Sequence, residues 1–126
     1  NFMEPNFKSA YEEAVKQADE MLNGMNIIVN AALRQRLTQS LAAVKEQLCV
    51  AEKVASRMIA KAEYEAEMTK RLAALEQAMN LVTVAAKKNM LAARLAQLQG
   101  SIKQVGMMLG NAPRPQQPYN RTRRYR

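Results

Sequence analysis

The feature that most constrains this chain is a run of 75 consecutive residues, 25–99, that contains neither glycine nor proline. A β protein needs a turn about every 8–12 residues, and turns depend heavily on those two residue types. Alanine supplies 21 residues of the chain and methionine nine, and both favour helix. The sequence therefore predicts an all-α protein built around one very long helix or one long helical hairpin.

A short helix is predicted ahead of this run. Ser9 and Glu12 fit a capping box, in which the serine side chain accepts a hydrogen bond from a backbone N–H at the start of a helix. Apolar residues then recur at helical spacing from Phe7 to Leu22, and most of the charged residues lie off that stripe. Gly24 predicts the end of this helix, because glycine readily adopts the left-handed conformation of a C-cap.

Two apolar stripes inside the long run follow the alternating four- and three-residue spacing of a coiled coil. They are out of phase, so the register shifts near residues 63–71. A continuous helix with a stutter and a hairpin that reverses there both account for this shift. The first predicted seam comprises Leu37, Leu41, Val44, Leu48, Ala51, Ala55, Met58 and Ala62, and the second comprises Leu72, Leu75, Met79, Val82 and Ala86.

Three weaker points interrupt the helical pattern. Residues 26–30 and 80–84 are rich in asparagine and β-branched residues, which have low helix propensity, and a bend is predicted at either. Gly100 followed by Ser101 predicts a stop and a new N-cap, with a short helix over residues 102–109 after it. The predicted helical domain covers residues 1–111.

Charge is distributed very unevenly along the chain. Residues 1–76 carry ten Lys/Arg and eleven Asp/Glu, a sum of −1, whereas residues 77–126 carry nine Lys/Arg and no acid, so that the total is +8. Residues 112–126 contain three prolines and five arginines. This segment has too little apolar surface to fold alone and is predicted to be an extended basic tail.

A basic, tyrosine-containing end is suited to binding polyanions. Arginine forms bidentate hydrogen bonds to phosphate, and tyrosine offers a face on which bases stack. No motif that reads base sequence is present, so nucleic-acid binding would be mostly electrostatic. An acidic protein surface or an anionic membrane would satisfy the same charges. The predicted polyanion-binding residues are Lys87, Lys88, Arg94, Lys103, Arg114, Tyr119, Arg121, Arg123, Arg124, Tyr125 and Arg126.

The sequence lacks most of the residue combinations that enzymes use for catalysis. The chain has no histidine, which removes Ser-His and Cys-His pairs and the usual zinc sites. Its single cysteine, Cys49, lies in an apolar helical stretch and is predicted to be a small buried hydrophobe. Glu63 and Glu67 share a helix face, but neighbouring cations balance them, which indicates a solvated face. We expect a non-enzymatic protein without a metal or cofactor.

The predicted seams indicate partners. The first helix covers only about four or five turns of the second, so the rest of the stripe must meet a hairpin partner or another chain. The small alanine side chains in the seams allow helices to approach closely. We therefore expect a homo-oligomer, or partner helices in a larger complex.

Two functions are compatible with these features. The first is a structural subunit of a larger assembly, of virion-internal or ribonucleoprotein type, whose basic C-terminal end contacts nucleic acid or another polyanion. It fits a location inside a cell or a particle. The alternative is a helical component of a secretion or membrane-associated apparatus, whose basic end binds lipid headgroups or an acidic partner subunit. Because the chain does not begin with Met, a processed or exported chain fits this alternative.

Overall fold

The computed structural model describes residues 5–109, and these residues form four α-helices without any strand. A 3₁₀ turn, Met25–Ile27, follows the first helix. The prediction of an all-α protein is confirmed. The helices are α1 (Pro5–Gly24), α2 (Ala31–Ala55), α3 (Lys61–Met79) and α4 (Ala85–Leu109).

The four helices form an up-down-up-down bundle in which consecutive helices run antiparallel. Gln47 in the second half of α2 donates a hydrogen bond to the backbone oxygen of Tyr64 in the first turn of α3. Gly24 at the end of α1 lies against Leu91 and Arg94 near the start of α4. The closest pairings are α1 with α4 and α2 with α3. The bundle therefore consists of two helix pairs packed against each other.

The turn after α2 has a backbone geometry that usually requires glycine. Arg57 adopts a φ of 64°, in the left-handed region. Its N–H donates to the backbone oxygen of Val54 at 3.0 Å, and the N–H of Met58 donates to that of Lys53 at 2.7 Å. These two bonds form the Schellman motif, which ends helices. The chain reverses here, and α3 returns along α2.

The prediction of one very long helix or one long hairpin is therefore wrong. The register shift was expected near residues 63–71, whereas the chain reverses at residues 56–60. The two stripes are out of phase because they belong to different helices. A second break at residues 80–84 separates α3 from α4, and residues 26–30 lie largely between α1 and α2. Both segments of low helix propensity thus lie at inter-helix connections.

Both terminal helices are longer than predicted. Helix α1 includes Pro5, four residues before the predicted start at Ser9, and proline suits a first turn because it lacks an N–H. Helix α4 runs through Gly100, where a stop was predicted, so the short C-terminal helix is the last part of a 25-residue helix. Gly24 ends α1 as predicted, but with φ −65° and ψ −22° it is right-handed. No left-handed glycine is needed there.

Each helix turns an apolar stripe toward the centre of the bundle. In α1 the stripe from Phe7 to Met21 is buried, as the sequence predicts. The stripe of α4 has the same alternating spacing and passes through the predicted stop. The two seams predicted from the sequence do not include this stripe. Its buried members are Leu91, Leu95, Leu98, Ile102, Val105 and Leu109.

The predicted seams contribute to this core only in part. Their members therefore pack mostly against helices of the same chain, and a second chain is not needed to cover them. Self-association stays a prediction that needs a different surface. The buried members are Leu37, Leu41, Val44, Leu48, Ala51, Leu75, Met79 and Val82. Ala55 and Leu72 are half-buried, and Met58, Ala62 and Ala86 are exposed.

Candidate polyanion-binding surfaces

The four predicted cations of α4 do not form one patch. Lys87 and Arg94 are seven residues apart and share a side of the helix, whereas Lys103 is nine residues beyond Arg94, about half a turn around the axis. Lys103 lines a groove between α3 and α4. Lys88 lies in the first turn of α4, next to Lys87. Lys103 therefore belongs to a different surface from Lys87 and Lys88.

The Arg94 side chain packs partly inside the bundle. A Cβ atom at Gly24 would lie 3.5 Å from Cδ and 3.6 Å from Nε of Arg94, so the arginine stem lies across the end of α1. Its Nε is buried and finds no hydrogen-bond partner within residues 5–109. A cation beside the C-terminus of a helix interacts favourably with the helix dipole. Arg94 thus belongs to the α1–α4 contact as much as to the surface.

The predicted tail residues Arg114, Tyr119, Arg121, Arg123, Arg124, Tyr125 and Arg126 lie outside the described residues. The structure does locate their attachment, because α4 ends at Leu109. Antiparallel order places that point at the same end of the bundle as the α2–α3 turn and the start of α1. We call this end, residues 5–12, 50–65 and 102–109, the tail end. It carries five Lys/Arg and four Asp/Glu, a sum of +1.

At the opposite end, two predicted polyanion-binding residues, Lys87 and Lys88, share one end of the bundle with Arg34 and Arg36, which were not predicted from the sequence. We call this end the loop end: residues 22–37 and 79–90, which contain the α1–α2 and α3–α4 connections. It carries Arg34, Arg36, Lys87 and Lys88 and no acidic residue, a sum of +4. Only the fold brings these two segments together, since about 40 residues of sequence separate them.

Both connections at the loop end expose large apolar side chains. Val29 between α1 and α2 is 80% exposed, and Leu81 and Val84 between α3 and α4 are 49% and 52% exposed. The low helix propensity of both segments predicted bends, and the second seam included Val82, which is buried. No pattern distinguished exposed Val29 from buried Ile28. The missed residues become visible only once the fold is known.

Hydrogen bonds fix the α1–α2 connection. Asn30 is the N-cap of α2, and its side-chain oxygen accepts a hydrogen bond of 2.9 Å from the N–H of Leu33. Nη1 of Arg34 donates to the backbone oxygen of Ile28 at 2.7 Å. Ile28 is buried and anchors the connection in the core. Val29 is therefore presented by an ordered segment.

Arg71 organises the acidic surface shared by α2 and α3. Its Nε donates to Glu67 and its Nη1 donates to Glu46, both at 2.9 Å. The hydrogen bond from Arg71 lowers the pKa of Glu67 below its usual 4.5, and Lys70 adds to the effect. Within residues 5–109, no three His, Cys, Asp or Glu side chains lie together as a metal site would require. The acidic face is thus engaged with neighbouring cations.

A groove between α3 and α4 has Tyr64 in its lining. The Tyr64 side chain is buried, and its hydroxyl finds no hydrogen-bond partner among the described residues. Burial raises the pKa of Tyr64 to about 12. The remaining lining is half apolar and half polar, and its charged members are Lys61, Glu65 and Lys103.

The environment of Cys49 differs from the prediction. The thiol was expected to be buried, but Cys49 is exposed on α2, because the core face of that helix passes through Leu48 and Ala51. Cys49 lies beside Tyr11 of α1. Burial, followed by a hydrogen bond with the Cys49 thiol, raises the pKa of Tyr11. The cysteine thus marks the rim of the α1–α2 contact.

None of the four helices among residues 5–109 is long and apolar enough to cross a membrane. Comparison with known proteins adds no further constraint on the site. No protein-family model, curated protein or solved structure matches this chain.

Proposed function

We propose that this protein is a non-enzymatic structural subunit whose helical bundle carries a basic C-terminal segment to a polyanion, with nucleic acid as the first candidate. The observation that supports this is how charge divides between bundle and tail. Residues 5–109 carry 14 Lys/Arg and ten Asp/Glu, which leaves +4, whereas residues 110–126 carry five arginines and no acid. The tail has more net charge in a far shorter segment.

Binding by such a tail would be driven by counterion release. Each phosphate that an arginine neutralises releases condensed cations. Each such contact makes the slope of log affinity against log salt more negative, by about 0.9 for duplex DNA and about 0.7 for a single strand. Tyr119 and Tyr125 would add sequence-tolerant stacking on unpaired bases. The bundle serves as the support from which the tail extends. Its subunits would assemble through outer helix faces, because the seam residues lie mainly in the core.

Fluorescence anisotropy with a labelled single strand and a labelled duplex over a salt series tests this function. The full chain is compared with a variant in which Arg121, Arg123, Arg124 and Arg126 are all glutamine. The control replaces four exposed bundle lysines by glutamine and so removes the same charge: Lys8, Lys16, Lys53 and Lys70.

The tail variant should bind more weakly, and its salt slope should be smaller by about three units, because four phosphate contacts are lost. The bundle variant should keep most of the slope. No binding by the full chain at low salt would rule out the nucleic-acid proposal. Equal losses in the two variants would show that net charge alone, and not the tail, governs binding.

The second candidate is a helical component of a secretion or membrane-associated apparatus. The observation that favours it is the exposure of Val29, Leu81 and Val84 beside the cations of the loop end. In this function the basic tail would bind lipid headgroups or an acidic partner subunit. Vesicle binding by the full chain, with no nucleic-acid binding at low salt, would favour this candidate.

A further inference from the structure

We propose that the loop end of the bundle is a docking surface for an anionic lipid bilayer. This surface lies at the end of the bundle opposite to Leu109, the last residue of α4. It is a peripheral contact, in which side chains enter the headgroup region and no helix crosses the bilayer. The inference is independent of whether the tail binds nucleic acid.

The apolar part of this surface is contributed by both connections. Val29 is 80% exposed, and Leu81 and Val84 are about half exposed. Because the helices alternate in direction, the α1–α2 and α3–α4 connections lie at the same end, and the contact of Gly24 with Leu91 links them. Three aliphatic side chains that point into solvent from one end are suited to the interfacial region of a bilayer.

The charges of the loop end match an anionic surface. Arg34, Arg36, Lys87 and Lys88 are its only ionisable side chains that carry charge at neutral pH, and each Lys or Arg near an anionic bilayer adds attraction. The tail end also exposes three large apolar side chains, those of Met58, Met107 and Met108. Its cations are nearly balanced by four acids, however, so that an anionic bilayer would attract it far less.

The connections are held in place before any partner binds. Ile28 and Val82 are buried and anchor the two segments in the core. The hydrogen bond from Arg34 to the backbone oxygen of Ile28, at 2.7 Å, holds the chain next to Val29. A rigid presentation means that little conformational entropy is lost when the side chains enter a bilayer.

A bilayer fits this surface better than nucleic acid does. A phosphate backbone would satisfy the four cations but would leave the aliphatic side chains of Val29, Leu81 and Val84 in water. A bilayer with anionic headgroups offers both the charge and an apolar phase. The aliphatic side chains are therefore the part of the surface that separates the two partners.

Single tryptophan reporters test this proposal in the full chain, because the protein has no tryptophan of its own. Val84→Trp reports on the loop end, and Met58→Trp, at a similarly exposed position, reports on the tail end. Each is titrated with vesicles of phosphatidylcholine and phosphatidylserine, and with vesicles of phosphatidylcholine alone. Circular dichroism checks that both variants remain helical.

We expect the emission of Val84→Trp to shift to shorter wavelength with the anionic vesicles and to be quenched by brominated acyl chains. Met58→Trp should respond much less, and neither should respond to the neutral vesicles. A variant with Val29, Leu81 and Val84 all changed to serine should bind anionic vesicles at least about tenfold more weakly, because three exposed aliphatic groups are lost. Replacing these exposed residues should leave the core intact.

The proposal would be overturned by no response of Val84→Trp, or by an equal or larger response of Met58→Trp. A Val84→Trp response to duplex DNA in place of vesicles would assign the surface to nucleic acid and also overturn it. The four tail arginines are then changed to glutamine in the Val84→Trp chain. The vesicle response should persist even where nucleic-acid binding is lost, which separates this proposal from the function of the tail.

Discussion

Nη1 of Arg71 on α3 donates a hydrogen bond of 2.7 Å to the backbone oxygen of Ala43, in the middle of α2. The same guanidinium binds Glu46 on α2 and Glu67 on its own helix. Arg71 thus connects the two helices that the turn at residues 56–60 brings together. Its planar group is suited to this role, because its donors are fixed in several directions at once.

Changing Arg71 to methionine should lower the free energy of unfolding by about 1 kcal/mol. The variant keeps an unbranched apolar stem but loses the hydrogen bonds to α2, whose net value is modest because the guanidinium is partly solvated. Urea denaturation followed by circular dichroism measures the change. Lys70→Met is the control, since Lys70 is an exposed neighbour on α3. An equal loss in the control would mean that Arg71 acts only through its charge.

The pH dependence of Glu67 should depend on Arg71. The hydrogen bond from Arg71 is the main cause that lowers the pKa of Glu67, and it outweighs the opposing effect of desolvation. A lowered carboxylate pKa adds stability above the usual value of 4.5, and this contribution is lost as pH falls through the folded-state pKa. In Arg71→Met, ¹³C NMR titration of the Glu67 carboxyl should give a higher pKa than in the native chain, because the main cause of the lowering is removed. An unchanged pKa would contradict the assignment.

Changing Arg57 to glycine should stabilise the protein by about 1 kcal/mol. Arg57 holds a left-handed backbone conformation that costs an L-residue about 1–2 kcal/mol and that glycine adopts freely, although glycine also gives the unfolded chain more freedom. Thermal and urea unfolding measure the effect. Arg57→Ala is the matched control, because it removes the side chain without relieving the backbone. If alanine stabilised the protein as much as glycine, the gain would not come from the turn.

Changing Gly100 to alanine should also stabilise the protein, by about 0.5–1 kcal/mol, because Gly100 lies inside α4. Apart from its chain neighbours and its own helix backbone, no atom of residues 5–109 lies within 4 Å of the position that its Cβ would occupy. Gly106→Ala is the comparison, since its Cβ would lie 3.4 Å from a carboxylate oxygen of Glu65, and a smaller gain is expected. A loss of stability in Gly100→Ala would indicate that the helix ends there.

Changing Tyr64 to phenylalanine should raise the free energy of unfolding by about 1 kcal/mol at neutral pH. The Tyr64 hydroxyl is buried without a hydrogen-bond partner in the described part of the chain, and an unsatisfied buried hydroxyl carries a desolvation cost. Urea denaturation measures the change. Tyr11→Phe is the control, because Tyr11 is only half-buried and its hydroxyl, unlike that of Tyr64, is not a buried group without a partner. A destabilised Tyr64→Phe would mean that the hydroxyl is hydrogen-bonded in solution.

Tyr64 should also contribute to alkaline unfolding. Burial raises its pKa from the usual 10.0 to about 12, so the folded state holds the phenol proton more tightly than the unfolded state does. Below pH 10.0 the phenol is neutral in both states, and as pH rises from 10.0 toward about 12 the unfolded state loses the proton first, so the free energy of unfolding falls. Absorbance of tyrosinate against pH, compared between the native chain and Tyr64→Phe, measures this. A phenol that titrates near 10 in the folded protein would contradict it.

Sequence patterns located the helices better than they located the breaks between them. The stripe of α1 and the connection at residues 80–84 follow from apolar spacing and low helix propensity. The chain reversal at Arg57 could not be predicted in this way. The usual sequence signal for a left-handed turn is glycine, and the residue there is arginine. At Gly100 the error was the opposite one, because a helix end was predicted where the helix continues. A glycine inside a helix lowers its stability by only about 1 kcal/mol, which is too little to end a helix whose other residues pack well.

The candidate surfaces, like the helices, could be predicted from the sequence only in part. The acid-free C-terminal half is a property of the sequence, but Lys87 and Lys103 lie on different sides of α4, and only the fold separates them. The loop end was not foreseen. Arg34 and Lys87 are far apart along the chain, and no local pattern predicts that they share one end of the bundle.

By itself the sequence determined that the chain is helical, which residues of each stripe are apolar, and where its net charge lies. These properties depend on residue type and on the helical period, both of which are local. Tertiary structure alone decided where the chain reverses and which stripes face each other, and so which surfaces remain exposed. A turn at Arg57 is unfavourable by local rules, and it forms because packing α3 against α2 buries apolar stripes that one long helix would leave in water.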